Sequence, residues 1–188
     1  ILKAILIVGE EPTVDTNYVA KLNQLSRPVE YDADLNAAPE LEQASQNYVP
    51  MPDILALGAI ENPADMNRPE LSALRQWVGR NRQCYDYLEQ AARKPYLWQP
   101  RQIKDNKMTE LEPLGPQELP SLAQALSWRA RLKALDREYD IALEALLTRW
   151  KLASLYTNPR LLLSDQKTGM IQKQRTIENA LRIVRWFE

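Results

Sequence analysis

Histidine is absent from this 188-residue chain, and cysteine occurs once, at Cys84. Without histidine there is no side chain that ordinarily titrates near neutral pH, no Ser-His or Cys-His nucleophile pair and no imidazole metal ligand. A lone thiol forms neither an internal disulfide nor a thiolate metal cluster, so Cys84 reads as a small buried apolar group on a helix. Glycine is scarce, with five in all, and no glycine-rich phosphate loop or serine-nucleophile motif occurs. β-Branched runs are few beyond residue 8. No apolar run approaches the roughly 20 residues that a bilayer-spanning helix needs. The chain is therefore expected to be all-α and non-enzymatic, with no cofactor and no metal.

What is present is ordinary for a globular protein: 45% apolar and 26% charged residues, with 5 tryptophans and 8 tyrosines against one phenylalanine. This is too apolar for a disordered chain. The net charge of −1 hides an uneven spread. Ile1 to Glu70 has 12 acids and 4 bases, whereas Leu119 to Glu188 has 12 bases and 7 acids. Pairing of the two parts within the chain is the expectation. Of the basic residues from Arg75 to Lys107, Arg75 and Arg82 share their helix with Asp86 and Glu89, and with a pI near 5.7 no nucleic-acid partner is expected.

The strongest pattern runs from Leu119 to Ala153. Leu119, Leu122, Leu126, Ala130 and Ala134, then Tyr139, Ala142, Leu146, Trp150 and Ala153, recur at helical spacing. Asp136-Arg137-Glu138 between them suits a tight helix–helix connection. This predicts a hairpin whose apolar faces close on each other, with Trp128 and Trp150 adding bulk.

Ahead of it, the spacing predicts a helix over 14–26 with Val14, Tyr18, Leu22 and Leu25 inward. A second carries Leu41, Ala44 and Tyr48, and a long third runs from Pro69 to Arg93 with a possible bend at Gly79. A last helix over 160–188 is expected to bury Leu161, Leu162, Met170, Ile171, Ile177, Leu181 and Val184, with Gly169 as a candidate kink. Five prolines between Lys94 and Pro120 mark the best boundary. The resulting division is an apolar arm over 1–12, a front helical part over 13–93, a proline-rich connection over 94–120 and a rear hairpin with terminal helix over 121–188.

Two motifs need weighing. Asp32-x-Asp34-x-Asn36 begins like a calcium loop, but Ala37 and Gln43 stand where the turn glycine and the bidentate carboxylate belong; capping of the following helix explains it better. The carboxylate pairs Glu110/Glu112 and Glu138/Asp140 fall in a proline-rich loop and at a helix start, where solvated roles are expected.

Tyr139-Asp-Ile-Ala142-Leu143-Glu144-Ala145-Leu146 resembles the opening of the second helix of a tetratricopeptide-type repeat, with Ala130 at the small position of the first helix. Arg149 stands where that repeat has a second small residue, Leu126 occupies the tryptophan position, and no second copy is visible. A looser likeness joins Asn17 to Pro28, Asp34 to Pro39 and the hairpin. In these the chain is similar to uncharacterised bacterial proteins with an N-terminal membrane anchor and a helical outer domain. That resemblance implies a place at the membrane, in a bacterial cell envelope, with Ile1 to Val8 as the end of the anchor. A strand or a buried arm are the alternatives for the same residues.

Together these readings predict helical hairpins packed as a small bundle or a short TPR-like array with an apolar N-terminal arm. The expected function is that of a scaffold or accessory subunit binding other proteins, with possible membrane contact through the N-terminus. Ile5, Leu6, Ile7 and Val8 in the arm, and Tyr96, Leu97 and Trp98 in the proline-rich connection, are the candidate contact residues, although both sets could equally complete the chain's own core. The alternative is a helical domain enclosing an apolar small molecule such as a lipid or pigment.

Overall fold

A computed structural model describes residues 18–53, 62–102, 115–158 and 161–186. Its helices are α1 (Tyr18–Ser26), α2 (Ala38–Gln46), α3 (Arg68–Arg80), α4 (Arg82–Ala91), α5 (Leu119–Leu135), α6 (Tyr139–Leu155) and α7 (Leu163–Arg185). Short 3-10 turns at Ala33–Leu35 and Pro63–Asp65 complete the set. No strand occurs among the described residues; one isolated backbone bridge joins Asn36 and Tyr96. The fold is all-α.

Local chemistry sets the helix starts. Asn67 accepts from the Glu70 amide at 3.0 Å while the Glu70 carboxylate accepts from the Asn67 amide at 2.9 Å. This reciprocal cap places Pro69 in the first turn of α3, where its missing N–H costs nothing. Asp32, the first residue of the calcium-like triplet, accepts from the Asp34 amide at 2.9 Å and caps a 3-10 turn.

The long helix expected from Pro69 to Arg93 is two helices, broken at Asn81 rather than bent at Gly79. Asn81 is fully buried. Its amide donates to the Trp77 carbonyl at 3.0 Å and the Val49 carbonyl at 3.1 Å, and its side-chain oxygen accepts from the Val49 amide at 2.9 Å. With the Trp77 indole also donating to the Val49 carbonyl at 2.8 Å, the break secures the strap after α2. A buried polar side chain that satisfies three backbone groups outcompetes continuous helix.

One apolar core runs through α2 to α6, with Leu41, Leu74, Trp77, Leu88, Leu122 and Leu126 essentially sealed from solvent. Cys84 lies in it, and burial pushes its thiol up to about 12. Leu25, by contrast, points outward on α1, and residues 14–17 of the expected first helix lie outside the described residues. Tyr48 lies beyond the end of α2 and is half-buried against the core.

Helices α5 and α6 pack antiparallel over their whole length, joined at the Asp136-Arg137-Glu138 connection. Arg137 adopts φ +63°, donates its amide to the Ala134 carbonyl at 3.0 Å, and Glu138 donates to the Lys133 carbonyl at 2.8 Å. These two bonds form a Schellman turn, whose left-handed position glycine normally holds. Arg75 forks onto Asp136 at 2.9 and 2.6 Å, fixing the turn to α3.

Gly169 kinks nothing. An added Cβ there would meet the Ala153 carbonyl oxygen at 2.7 Å, Thr157 Cγ2 at 2.8 Å and Tyr156 Cβ at 2.9 Å. It is the point of closest approach between α6 and α7.

Two predictions follow from the backbone. Arg137→Gly removes the left-handed strain and raises stability by about 1 kcal/mol, measured by urea unfolding. Gly169→Ala forces α7 off α6 and lowers stability by about 1–3 kcal/mol, read from the same experiment.

Candidate partner-binding surface

The candidate contact residues of the proline-rich connection are stitched to the front of the chain. Leu97 is buried. The Tyr96 hydroxyl accepts from the Asp32 amide at 2.7 Å and donates to the Asp32 carbonyl, and the Tyr96 carbonyl accepts from the Ala37 amide at 2.9 Å. Trp98 exchanges bonds with Asn36 at 2.9 and 2.8 Å and meets the Tyr31 ring edge-on at 5.2 Å. Arg27 lies over Tyr31 at 4.4 Å. The other candidates, Ile5 to Val8, lie outside the described residues.

Two spaces open near this region. The cavity among Leu22, Trp98, Arg101, Leu161 and Leu162 measures about 10 Å³, room for one water. A wide groove beside Arg93, Lys94, Pro95, Lys151 and Leu155 is open to solvent.

The larger feature lies at the rear and inverts an expectation. Along α7 the residues facing α5 and α6 are Asp165, Gly169, Gln172, Thr176, Asn179 and Ile183. They are spaced four and three apart, a regular helix–helix seam, yet the seam is mostly polar. It meets polar groups in turn. Arg149 on α6 donates to Ser127 Oγ and, at 3.0 Å, to Gln172 Oε1. Arg131 on α5 donates to Asn179 Oδ1, whose amide donates to Ser127 Oγ at 3.3 Å. Asp165 pairs with Arg101, which is also clasped to Asn23 of α1.

The seam is electrostatically unusual. Arg149 is 5% exposed, and both hydrogen-bonding partners of its guanidinium are neutral. Desolvation, then the neighbouring Arg175 and Arg131 charges, pull its pKa down to about 10, with Glu178 opposing. Side-chain oxygens of Ser127 and Gln172 stand in for a carboxylate.

Because its polar face turns inward, α7 turns its apolar face out. Met170, Ile171, Ile177, Leu181 and Val184, expected in the core, are exposed. The same holds on α6, where Tyr139 and Trp150, expected to close the hairpin, face outward with Leu143 and Leu147. Tyr139, Leu143, Leu147 and Trp150 are spaced four, four and three apart; so are Lys173, Ile177, Leu181 and Val184 on α7. The two helices are antiparallel, and Lys173 Nζ sits 5.3 Å from the Trp150 ring. With Arg149 bonded to Gln172 and Gly169 against Ala153, the same antiparallel register extended along both helices sets Ile177 level with Leu147 and Leu181 level with Leu143.

Both helices thus expose large apolar side chains, with Leu143 at 56%, Ile177 at 49%, Leu181 at 52% and Val184 at 57% exposure. Large exposed apolar patches are uncommon on folded chains. No protein-family model, curated protein or solved structure matches the chain. The signal for this surface was present in the sequence: two parallel seven-residue repeats on α7, one polar and one apolar, of which a hydrophobicity rule selects the wrong one as buried.

The inversion is testable by paired substitutions. Ile177→Gln leaves unfolding free energy within about 0.5 kcal/mol of the parent, as for any exposed position. Asn179→Leu strips an acceptor from the buried Arg131 and costs about 1–3 kcal/mol. Chemical denaturation of both variants gives the comparison.

Proposed function

We propose that this chain is a helical scaffold or accessory subunit that binds another polypeptide through the outer face of α6 and α7. The observation that carries the reading is the exposure of apolar rows on two helices that pack against each other. Antiparallel helix pairs offer the long shallow groove between their ridges to a partner helix or an extended segment. Ala130 and Ala142, the small residues of the repeat-like motif, are both buried where α5 meets α6. This supports a TPR-like hairpin whose outer face awaits the next helix.

No helix among the described residues is long and apolar enough to cross a membrane. Association with a bacterial membrane through Ile5 to Val8 belongs to the same proposal and rests on the sequence alone.

A photoreactive residue at position 147 or 177, in the full chain expressed in its source cells, tests the docking face. Both positions should yield the same cross-linked polypeptide, and Leu181→Glu should abolish it. A photoreactive residue at exposed Gln24 on α1 is the control. Adducts at 147 and 177 no stronger than at 24, or insensitive to Leu181→Glu, would contradict the assignment.

A further inference from the structure

The charge around the rear face narrows what can sit on it. Helix α7 carries five basic residues, Lys167, Lys173, Arg175, Arg182 and Arg185, against Glu178 and Asp165. Asp165 is buried on Arg101, so the solvent side of α7 retains Glu178 as its single acid. On α6 the flank away from α7 is mixed, with Asp140, Glu144 and Lys151 exposed. The exposed side of α7 is therefore net cationic, with Lys167 and Arg185 toward its two ends and Glu178 between them.

The shape of the apolar surface is equally specific. Leu163, Met170, Ile177 and Val184 repeat at every seventh position and are all exposed, while Gln174 and Lys167, which flank that line, are exposed and polar. One apolar position per heptad on α7, with exposed Leu143 and Leu147 on the adjoining α6, offers a second helix apolar positions at a seven-residue interval. A bilayer surface takes an apolar face beside a Lys/Arg-rich one and asks for no seven-residue register.

We infer that the occupant of the α6–α7 groove is an acidic amphipathic helix, whose apolar stripe fills the groove and whose carboxylates meet the α7 rim. This rests on the docking reading above and goes further by naming the chemistry of the partner. Opposite charge along the rim fixes the direction in which the helix lies and speeds its association.

The probe is a fluorescein-labelled peptide of about four heptads, leucine at a and d and glutamate at e and g, with a lysine-substituted twin. Each is titrated with the full chain at low and at physiological ionic strength, and binding is read by anisotropy. The glutamate peptide should bind, more weakly as salt rises. Lys167→Glu with Arg185→Glu should weaken it about tenfold or more. Leu147→Gln with Ile177→Gln should abolish binding while leaving the circular-dichroism unfolding curve unchanged.

Equal binding of the lysine twin, or no binding of either peptide, overturns the inference. So does self-association in sedimentation equilibrium that Ile177→Gln removes, because a second copy then fills the groove. Co-sedimentation with phosphatidylglycerol vesicles that depends on Leu147 and Ile177 also overturns it, in favour of a lipid surface. If cross-links at 147 and 177 persist while the glutamate peptide fails, the partner class is wrong and the docking reading stands; if both fail, the docking reading falls too.

Discussion

The polar seam between α7 and the α5–α6 hairpin decides how this molecule presents itself. Arg149 and Arg131 are withdrawn from water into a helix interface, and their hydrogen-bonding groups meet Ser127, Gln172 and Asn179. Burying a guanidinium is tolerable only where acceptors are fixed in place. That requirement selects one rotation of α7 about its axis. Turning α7 by half a revolution would bury more carbon and strand both arginines. Everything outward of the seam follows: once Gln172, Thr176 and Asn179 point in, Ile177, Leu181 and Val184 must point out.

The same seam links the rear of the molecule to its front. Asp165, on the inward row of α7, pairs with Arg101, and the backbone of Arg101 is clasped by Asn23 on α1. Gly169, one turn later on that row, brings the α6 and α7 backbones close enough that no side chain fits between them. On the other side of the hairpin, Arg75 holds the Asp136 turn against α3. The hairpin and α7 are thus tied to the front of the molecule through Asp136 and Asp165.

Much of the helical frame was legible in the sequence. The hairpin and its three-residue connection emerged from apolar spacing alone, because α5 has a core on nearly every side and Ala130, Ala134 and Leu126 leave no ambiguity. The misreadings share one physical cause. Spacing rules assume that apolar means buried, and they fail where polar side chains are buried on one another. Asn81 broke a helix that periodicity would have continued, by serving Val49 and Trp77. Arg149, which departs from the small residue of the repeat-like motif, is part of the network that holds α7. A clue was available: α7 has two seven-residue rows, and the polar one contains glycine at the position of closest approach, where an exposed row has no use for it. The reciprocal cap of Asn67 with Glu70 was also written in the chain and fixes the start of α3 one residue before Pro69.

The exposed row on α7 tests this account most directly. In the native chain Cys84 is buried and its thiol is held protonated, so a newly introduced cysteine is read against a silent background. Thr176→Cys and Ile177→Cys differ by one step along the helix and, on this account, by inside and outside. Under native conditions, a thiol-specific reagent should label position 177 at close to the rate of a free thiol, and position 176 about 100-fold more slowly or less, limited by local opening. Comparable rates at the two positions, or the reverse order, would contradict the claim that α7 packs through its polar face.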